Sequence, residues 1–182
     1  MEVSSTFSEL PRLTQSALEK TSLEIGSINP CEDSRSWSIK PMDLQLKPNE
    51  IIDDVEIWAK KAACLYFFDV TSHVADATLI KNCFIKAKEE YGGCFAFSRV
   101  NKSDGSCLYV GSSHSLGNRL KEHLGFGNKA TYSLQLKHWA PKDVSYTFVA
   151  AKYDEVKEGL LQVLEDTLWN SKKPMFGRLG SK

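Results

Sequence analysis

The longest uninterrupted apolar run of the chain covers residues 62–68 and ends at Asp69. A run of this length is typical of a buried β-strand, whereas a membrane-spanning helix needs about 20 apolar residues. Further strand-like runs lie at residues 94–100, 106–110 and 145–150. Segments with apolar residues at three- and four-residue spacing alternate with these runs. The alternation predicts an α+β fold (an α/β sandwich) in which helices flank a small sheet.

The helical spacing is clearest after residue 48. It predicts helices over residues 49–62, 76–91, 115–124, 130–139 and 154–168, with Ser115 and Asp154 as caps of the third and the last. Upstream, only a short helix within residues 10–25 is compatible with the loosely spaced leucines.

The strongest local turn signal is Asp104-Gly105, between the apolar runs 94–100 and 106–110. Asp-Gly flanked by two strand-like runs is typical of a β-hairpin. We therefore predict a three-stranded antiparallel sheet made of this hairpin and a strand at 145–150. Residues 1–90 would form an N-terminal helical extension, which packs on the sheet or adds a strand at 64–69, and residues 91–182 a second domain.

Charge is divided unevenly between the two halves of the chain, although its net value is zero. Residues 1–92 carry 10 basic and 15 acidic side chains, and residues 93–182 carry 13 and 8. The second half is therefore the better candidate for contact with a polyanion. A hydrophobic fraction of 42% excludes disorder throughout.

The five cysteines form no CxxC pair, which argues against a disulfide scaffold and a cysteine zinc site. Scattered thiols without a secretory signal favour a reduced, cytoplasmic location.

An ordered set of polar residues gives the clearest functional signal. Gly93-Cys94-Phe95 and Tyr109-Val110-Gly111 form two short motifs, and Arg119 follows ten residues after Tyr109. His123 comes one helical turn later, and Glu165 lies on the last predicted helix. In letters and spacing this set, with the trailing Pro174 and Phe176, resembles the GIY-YIG nuclease family over about residues 92–182.

The resemblance implies a metal-dependent endonuclease that hydrolyses phosphodiester bonds in DNA. Glu165 would hold Mg²⁺ or Mn²⁺, since Mg²⁺ is often bound by one carboxylate, waters and substrate phosphate. Arg119 would offer its planar fork to the phosphate. Tyr109, together with His123, would position or deprotonate the attacking water. A phenol of ordinary pKa near 10 needs a nearby positive charge to serve as a base at neutral pH.

Basic side chains near the end of the chain, Lys172, Lys173 and Arg178, are candidates for phosphate contacts. The expected partner is DNA, with RNA as an alternative and no membrane. The protein would act as a monomer or a homodimer.

Two positions depart from the family pattern. Phe95 stands where the first motif usually has its tyrosine, and Gly177 where many members have an asparagine. These departures leave two alternatives: a nuclease-derived module that binds nucleic acid with weakened or no cleavage, and a protein-interaction domain that uses the acidic first half.

Overall fold

The computed structural model describes residues 3–26, 33–46, 48–71, 77–153, 156 and 158–180. The helices are α1 (Val3–Gly26), α2 (Pro41–Leu46), α3 (Pro48–Ala59), α4 (Ala77–Tyr91), α5 (Leu116–Leu124) and α6 (Glu158–Lys172), with a short 3₁₀ turn at Leu136–His138. The strands are β1 (Ser34–Ile39), β2 (Ala63–Val70), β3 (Cys107–Ser113) and β4 (Tyr146–Tyr153).

The strands form one antiparallel sheet in the order β1-β4-β2-β3, with helices around it. The α+β prediction is confirmed, but the described sheet has four strands rather than three. Two of the three predicted strands form, as β3 and β4, and the strand allowed at residues 64–69 forms as β2. The strand that was not predicted, β1, pairs with β4 and is mostly exposed, so its sequence carries no apolar run. Strands β1 and β2, from the predicted N-terminal extension, share this sheet with β3 and β4 of the second predicted domain. The division of the chain into two domains at residue 90 stays a prediction.

The two faces of the sheet are covered by different helices. Along β2, Tyr66 and Phe68 point to a core shared with α3 and α5, because successive strand residues face opposite sides. Leu65 points the other way and is buried with Leu161 of α6. The central strand is thus covered on both faces, which explains its continuous apolar run.

The predicted hairpin is wrong. Over residues 94–100 the structure has no extended strand and only two isolated bridges, between Phe97 and Ser133 and between Val100 and Phe176. Strand β3 pairs instead with β2, which lies far earlier in the chain.

The reason for this difference is that another segment occupies the free edge of β3. The backbone N–H of Met175 donates to the carbonyl of Cys107 at 2.8 Å, and that of Phe176 donates to Leu108 at 2.9 Å. The Met175 carbonyl in turn accepts from Asn101 at 2.7 Å. Residues 175–176 therefore lie between β3 and the segment that was expected to pair with it.

The predicted helix at 130–139 is also wrong, since only the 3₁₀ turn forms there. Side chains occupy the backbone groups that a helix would need. The Leu134 N–H donates to His123 Nδ1, and the Leu134 carbonyl accepts from Trp139 Nε1. The helices predicted from residues 49, 76 and 115 are confirmed as α3, α4 and α5.

The last predicted helix is present as α6, and its predicted cap, Asp154, lies outside the described residues. Ser115 is at the cap position of α5, although its side chain makes no capping hydrogen bond. None of the helices over the described ranges combines the length and apolar character of a membrane span.

Candidate active site

The pairing of β2 with β3 brings two tyrosines together. Tyr66 lies opposite Gly111 in the register of the two strands. A Cβ atom at position 111 would be 2.5 Å from the Tyr66 Oη, so only glycine leaves room for this hydroxyl. The Tyr66 and Tyr109 rings lie nearly parallel, 6.3 Å apart. The motif Tyr109-Val110-Gly111 thus supplies the phenol of Tyr109 and, at Gly111, the space for the phenol of Tyr66.

Arg119 links the two phenols. Its Nε donates to Tyr66 Oη and its Nη2 to Tyr109 Oη, each at 3.0 Å. Nη2 also donates to the Tyr132 carbonyl at 3.0 Å, and Nη1 to Glu122 Oε2 at 2.7 Å. These contacts use four of the five guanidinium N–H donors. The group is therefore held in place by tyrosines and a carboxylate, and one N–H is left for a phosphate rather than the predicted two-pronged fork.

His123 lies behind Tyr66 and is fully buried. The Leu134 N–H donates to His123 Nδ1 at 3.1 Å, so the proton of the neutral ring is on Nε2, which donates to Tyr66 Oη at 3.1 Å. Burial, together with the charge of Arg119, lowers the pKa of His123 well below its ordinary value. The imidazole therefore stays neutral and holds the phenol, and it does not line the cavity described below.

Burial sets the protonation of both phenols. It raises the pKa of Tyr66 and of Tyr109 above the ordinary value, while the Arg119 charge acts in the opposite direction. In this state both tyrosines are neutral hydroxyl groups at neutral pH. Either could act as a base only if a further positive charge lay close by.

Glu165 approaches the tyrosines from α6. It lies one helical turn after the buried Leu161, which turns its side chain toward the sheet. Glu165 as a whole residue is only 6% exposed, and its Oε2 accepts from Ser112 Oγ at 2.5 Å. Burial raises the pKa of Glu165, and the hydrogen bond from Ser112 opposes this rise.

A cavity of about 270 Å³, called here the catalytic cavity, lies between these groups. Its lining comprises Tyr66, Tyr109, Gly111, Ser112, Ser113, His114, Arg119, Leu161, Gln162 and Glu165. The fold therefore brings three of the predicted site residues to one small space together with a tyrosine that was not predicted.

The donor set of this cavity suits a hard cation. Among the described residues that line it, Glu165 is the one carboxylate, and the hydroxyl groups of Ser112, Tyr66 and Tyr109 are also oxygen donors. Within the described ranges no cluster of three or more His, Cys, Asp or Glu could hold a metal. A single carboxylate fits Mg²⁺, which keeps most of its water ligands.

An open groove of about 1370 Å³, called here the basic groove, adjoins the cavity. Tyr109 and Arg119 line both spaces. The other cationic side chains of the groove are Lys88, Arg99, Lys129 and Arg178, and its described lining contains no carboxylate. Such a surface is complementary to a phosphate backbone.

A family model for the GIY-YIG catalytic domain matches residues 91–176. The match covers just under half of the chain, so over this C-terminal range the chain is similar to GIY-YIG nucleases. This similarity points to a nuclease-type function. No curated protein and no solved structure is significantly similar to the chain. The matched range begins at Tyr91, so β2 and Tyr66 precede it.

The two departures from the GIY-YIG pattern have structural explanations. Phe95 lies in the basic groove, with its ring 4.3 Å from that of His138, and does not reach the catalytic cavity. Gly177 has φ +104°, and a Cβ there would be 3.0 Å from the Tyr109 ring. Glycine at position 177 thus leaves room for the Tyr109 ring. Position 95 has no phenol, but Tyr66 brings a second phenol to the catalytic cavity.

The basic residues predicted near the chain end lie in different places. Arg178 lines the basic groove. Lys172 is paired with Asp69 at 3.3 Å, with its Nζ 3.9 Å from the centre of the Phe67 ring. Neither Lys172 nor Lys173 lines the groove or the catalytic cavity.

Three residues of this arrangement, Tyr66, Ser112 and Glu122, are not among the site residues predicted from the sequence. Tyr66 could have been found from the sequence, because it places a hydroxyl group within an apolar run that predicts a buried strand. A buried phenol usually has a hydrogen-bond partner, which would have indicated a polar site next to this strand. The GIY-YIG motifs alone did not point to it because a helix and a long loop separate β2 from β3.

Proposed function

We propose that the chain is a metal-dependent endonuclease that hydrolyses phosphodiester bonds in DNA. The observation that carries this proposal is the convergence of Tyr66, Tyr109, Arg119 and Glu165 on one cavity beside the basic groove. The groove would hold the phosphate backbone, and the cavity would receive the scissile phosphate and the attacking water.

Glu165 would hold the cation, Mg²⁺ or Mn²⁺. When bound, such a cation polarises the phosphoryl oxygen and stabilises the leaving oxygen. Arg119 would stabilise negative charge on the phosphate, because its guanidinium is already held at the boundary of cavity and groove. The guanidinium would not need to move as negative charge develops on the phosphate in the transition state.

Tyr109 and Tyr66 would position the attacking water through their hydroxyl groups. The oxygen of Tyr66 already accepts hydrogen bonds from Arg119 and His123, which leaves its own proton free to donate. His123 acts through Tyr66 in this proposal, as a positioning residue, rather than on the water itself. Cytoplasmic location and a monomeric or homodimeric state stay predictions from the sequence.

The test is cleavage of supercoiled plasmid DNA by the full chain with Mg²⁺ or Mn²⁺, compared with Glu165→Gln. We expect metal-dependent nicking and a loss of roughly a hundredfold or more in the variant, the scale of losing one transition-state contact. Asp53→Asn, an exposed carboxylate of α3 outside both spaces, should leave the rate unchanged. Equal rates for Glu165→Gln and the natural chain would refute the proposed role of Glu165.

The basic groove by itself supports a second candidate, a nucleic-acid-binding module without cleavage. Retention of DNA that weakens steeply with salt, combined with no cleavage under any divalent cation, would favour that candidate.

A further inference from the structure

Tyr132 is an exposed aromatic side chain at the edge of the proposed active site. It is 68% exposed and is the only aromatic among the large apolar side chains that are exposed in the described part of the chain. Single exposed apolar side chains are common on protein surfaces, so what matters for this ring is where it lies and how its backbone is held.

The backbone that carries this ring is held firmly. The Tyr132 carbonyl accepts from Arg119 Nη2 at 3.0 Å. The next residue, Ser133, is fully buried, and its N–H and carbonyl pair with Ala96 and Ser98. Its Oγ also donates to the carbonyl of Glu122 on α5. The ring is therefore displayed from a fixed position one residue from the core.

The surroundings of the ring are cationic. Tyr132 lines the basic groove together with Lys129, Arg178 and Arg119. Aromatic rings set in a positively charged groove are the arrangement by which proteins bind single-stranded nucleic acid, since each base presents a π-face and each linkage a phosphate.

We propose that Tyr132 stacks on an unpaired nucleobase, so that the substrate is nucleic acid with a single-stranded segment beside the scissile phosphate. This inference rests on the proposed function for the position of that phosphate. In an intact duplex both faces of an internal base are covered by its neighbours, and a protruding ring finds no face to contact. The ring therefore distinguishes an unpaired strand from a duplex, whereas the groove cations bind both.

The experiment measures binding by the full chain in EDTA, so that no cleavage occurs. The probes are a single-stranded DNA oligonucleotide with a fluorescent adenine analogue, whose emission falls on stacking, and the same oligonucleotide in a duplex. The variants are Tyr132→Ala and Tyr132→Phe, with Ile57→Ala, 69% exposed on α3, as the control.

For the single strand we expect Tyr132→Ala to weaken binding about tenfold and to remove the fluorescence change. Tyr132→Phe keeps the ring and should retain both, and duplex binding should change little in any variant. A failure of the natural chain to bind the single strand, an unchanged affinity in Tyr132→Ala, or an equal loss for strand and duplex would overturn the inference.

Failure of the proposed function would be visible separately. Ring-dependent binding of the single strand without any Glu165-dependent cleavage would keep the inference and reject the enzyme. Cleavage that depends on Glu165 but not on Tyr132 would do the reverse.

Discussion

The catalytic cavity and the basic groove meet at Tyr109 and Arg119 but are built in opposite ways. In the cavity, Glu165, Tyr66 and the histidine behind it are buried and hydrogen-bonded to one another or to neighbouring groups. In the groove, Arg178 and Tyr132 are exposed.

This difference separates two physical tasks. Buried polar groups are costly to displace, so in the proposed reaction they would fix the geometry of the reacting atoms. Exposed cations on flexible side chains bind a phosphate backbone with little demand on geometry. Changes in the cavity should therefore lower turnover, and changes in the groove should alter affinity and its dependence on salt.

The sharpest test of this division exchanges hydroxyl groups between the two regions. Tyr66→Phe removes from the cavity the oxygen that accepts from Arg119 and His123. We expect single-turnover cleavage to fall by about a hundredfold, within the range for groups that handle a proton. Unsatisfied buried donors should also lower the free energy of unfolding by about 1–3 kcal/mol, measurable by urea denaturation.

The matched control for Tyr66→Phe is Phe95→Tyr. This change restores the tyrosine that the GIY-YIG pattern usually has at this position, but its side chain lies in the basic groove. We expect no gain in turnover from this change, because position 95 does not line the cavity. A higher rate in Phe95→Tyr, with an unaltered rate in Tyr66→Phe, would show that the phenol at 66 is not part of the site.

The groove is tested by Arg178→Ser, which removes one exposed cation from its lining. We expect weaker DNA binding, by several-fold at moderate salt, and a salt slope smaller by about one, with turnover at saturating DNA preserved. Lys142→Ser, an exposed lysine outside the groove, serves as the control. A loss of turnover at saturating DNA would break the division between the two regions.

The smallest expected effect concerns the neutral histidine of the buried network. Because the pKa of His123 is lowered below 6.5 in the folded chain, the unfolded chain binds more protons as pH falls below that value. Its contribution to stability is therefore present above pH 6.5 and lost on acidification.

The measurement is the free energy of unfolding between pH 7.5 and 5. The natural chain should lose stability more steeply than His123→Gln, by up to about 1.4 kcal/mol per pH unit. The exposed His114→Gln should follow the natural slope. Identical slopes for the natural chain and His123→Gln would contradict a neutral, buried His123.

Much of the fold could be predicted because its signals are local. The spacing of Ile52, Val55 and Trp58 indicates one buried face of α3, and the structure buries all three. Local patterns could not exclude the predicted hairpin of residues 94–100 and 106–110. Its turn signal at Asp104-Gly105 is real, but residues 175–176 bind the edge of β3, and no local pattern reveals a competitor 68 residues away.

The sequence by itself determined the similarity to the GIY-YIG family, the α+β class and the choice of Tyr109, Arg119 and Glu165 as candidate site residues, because these depend on residue types at fixed spacing. The tertiary structure alone decided that Tyr66 joins them, that His123 lies behind the phenol and that Lys172 binds Asp69 rather than lining the groove. The physical reason is strand pairing. A register between β2 and β3 places Tyr66 against Gly111, and such a contact between distant segments is set by the packing of the whole sheet.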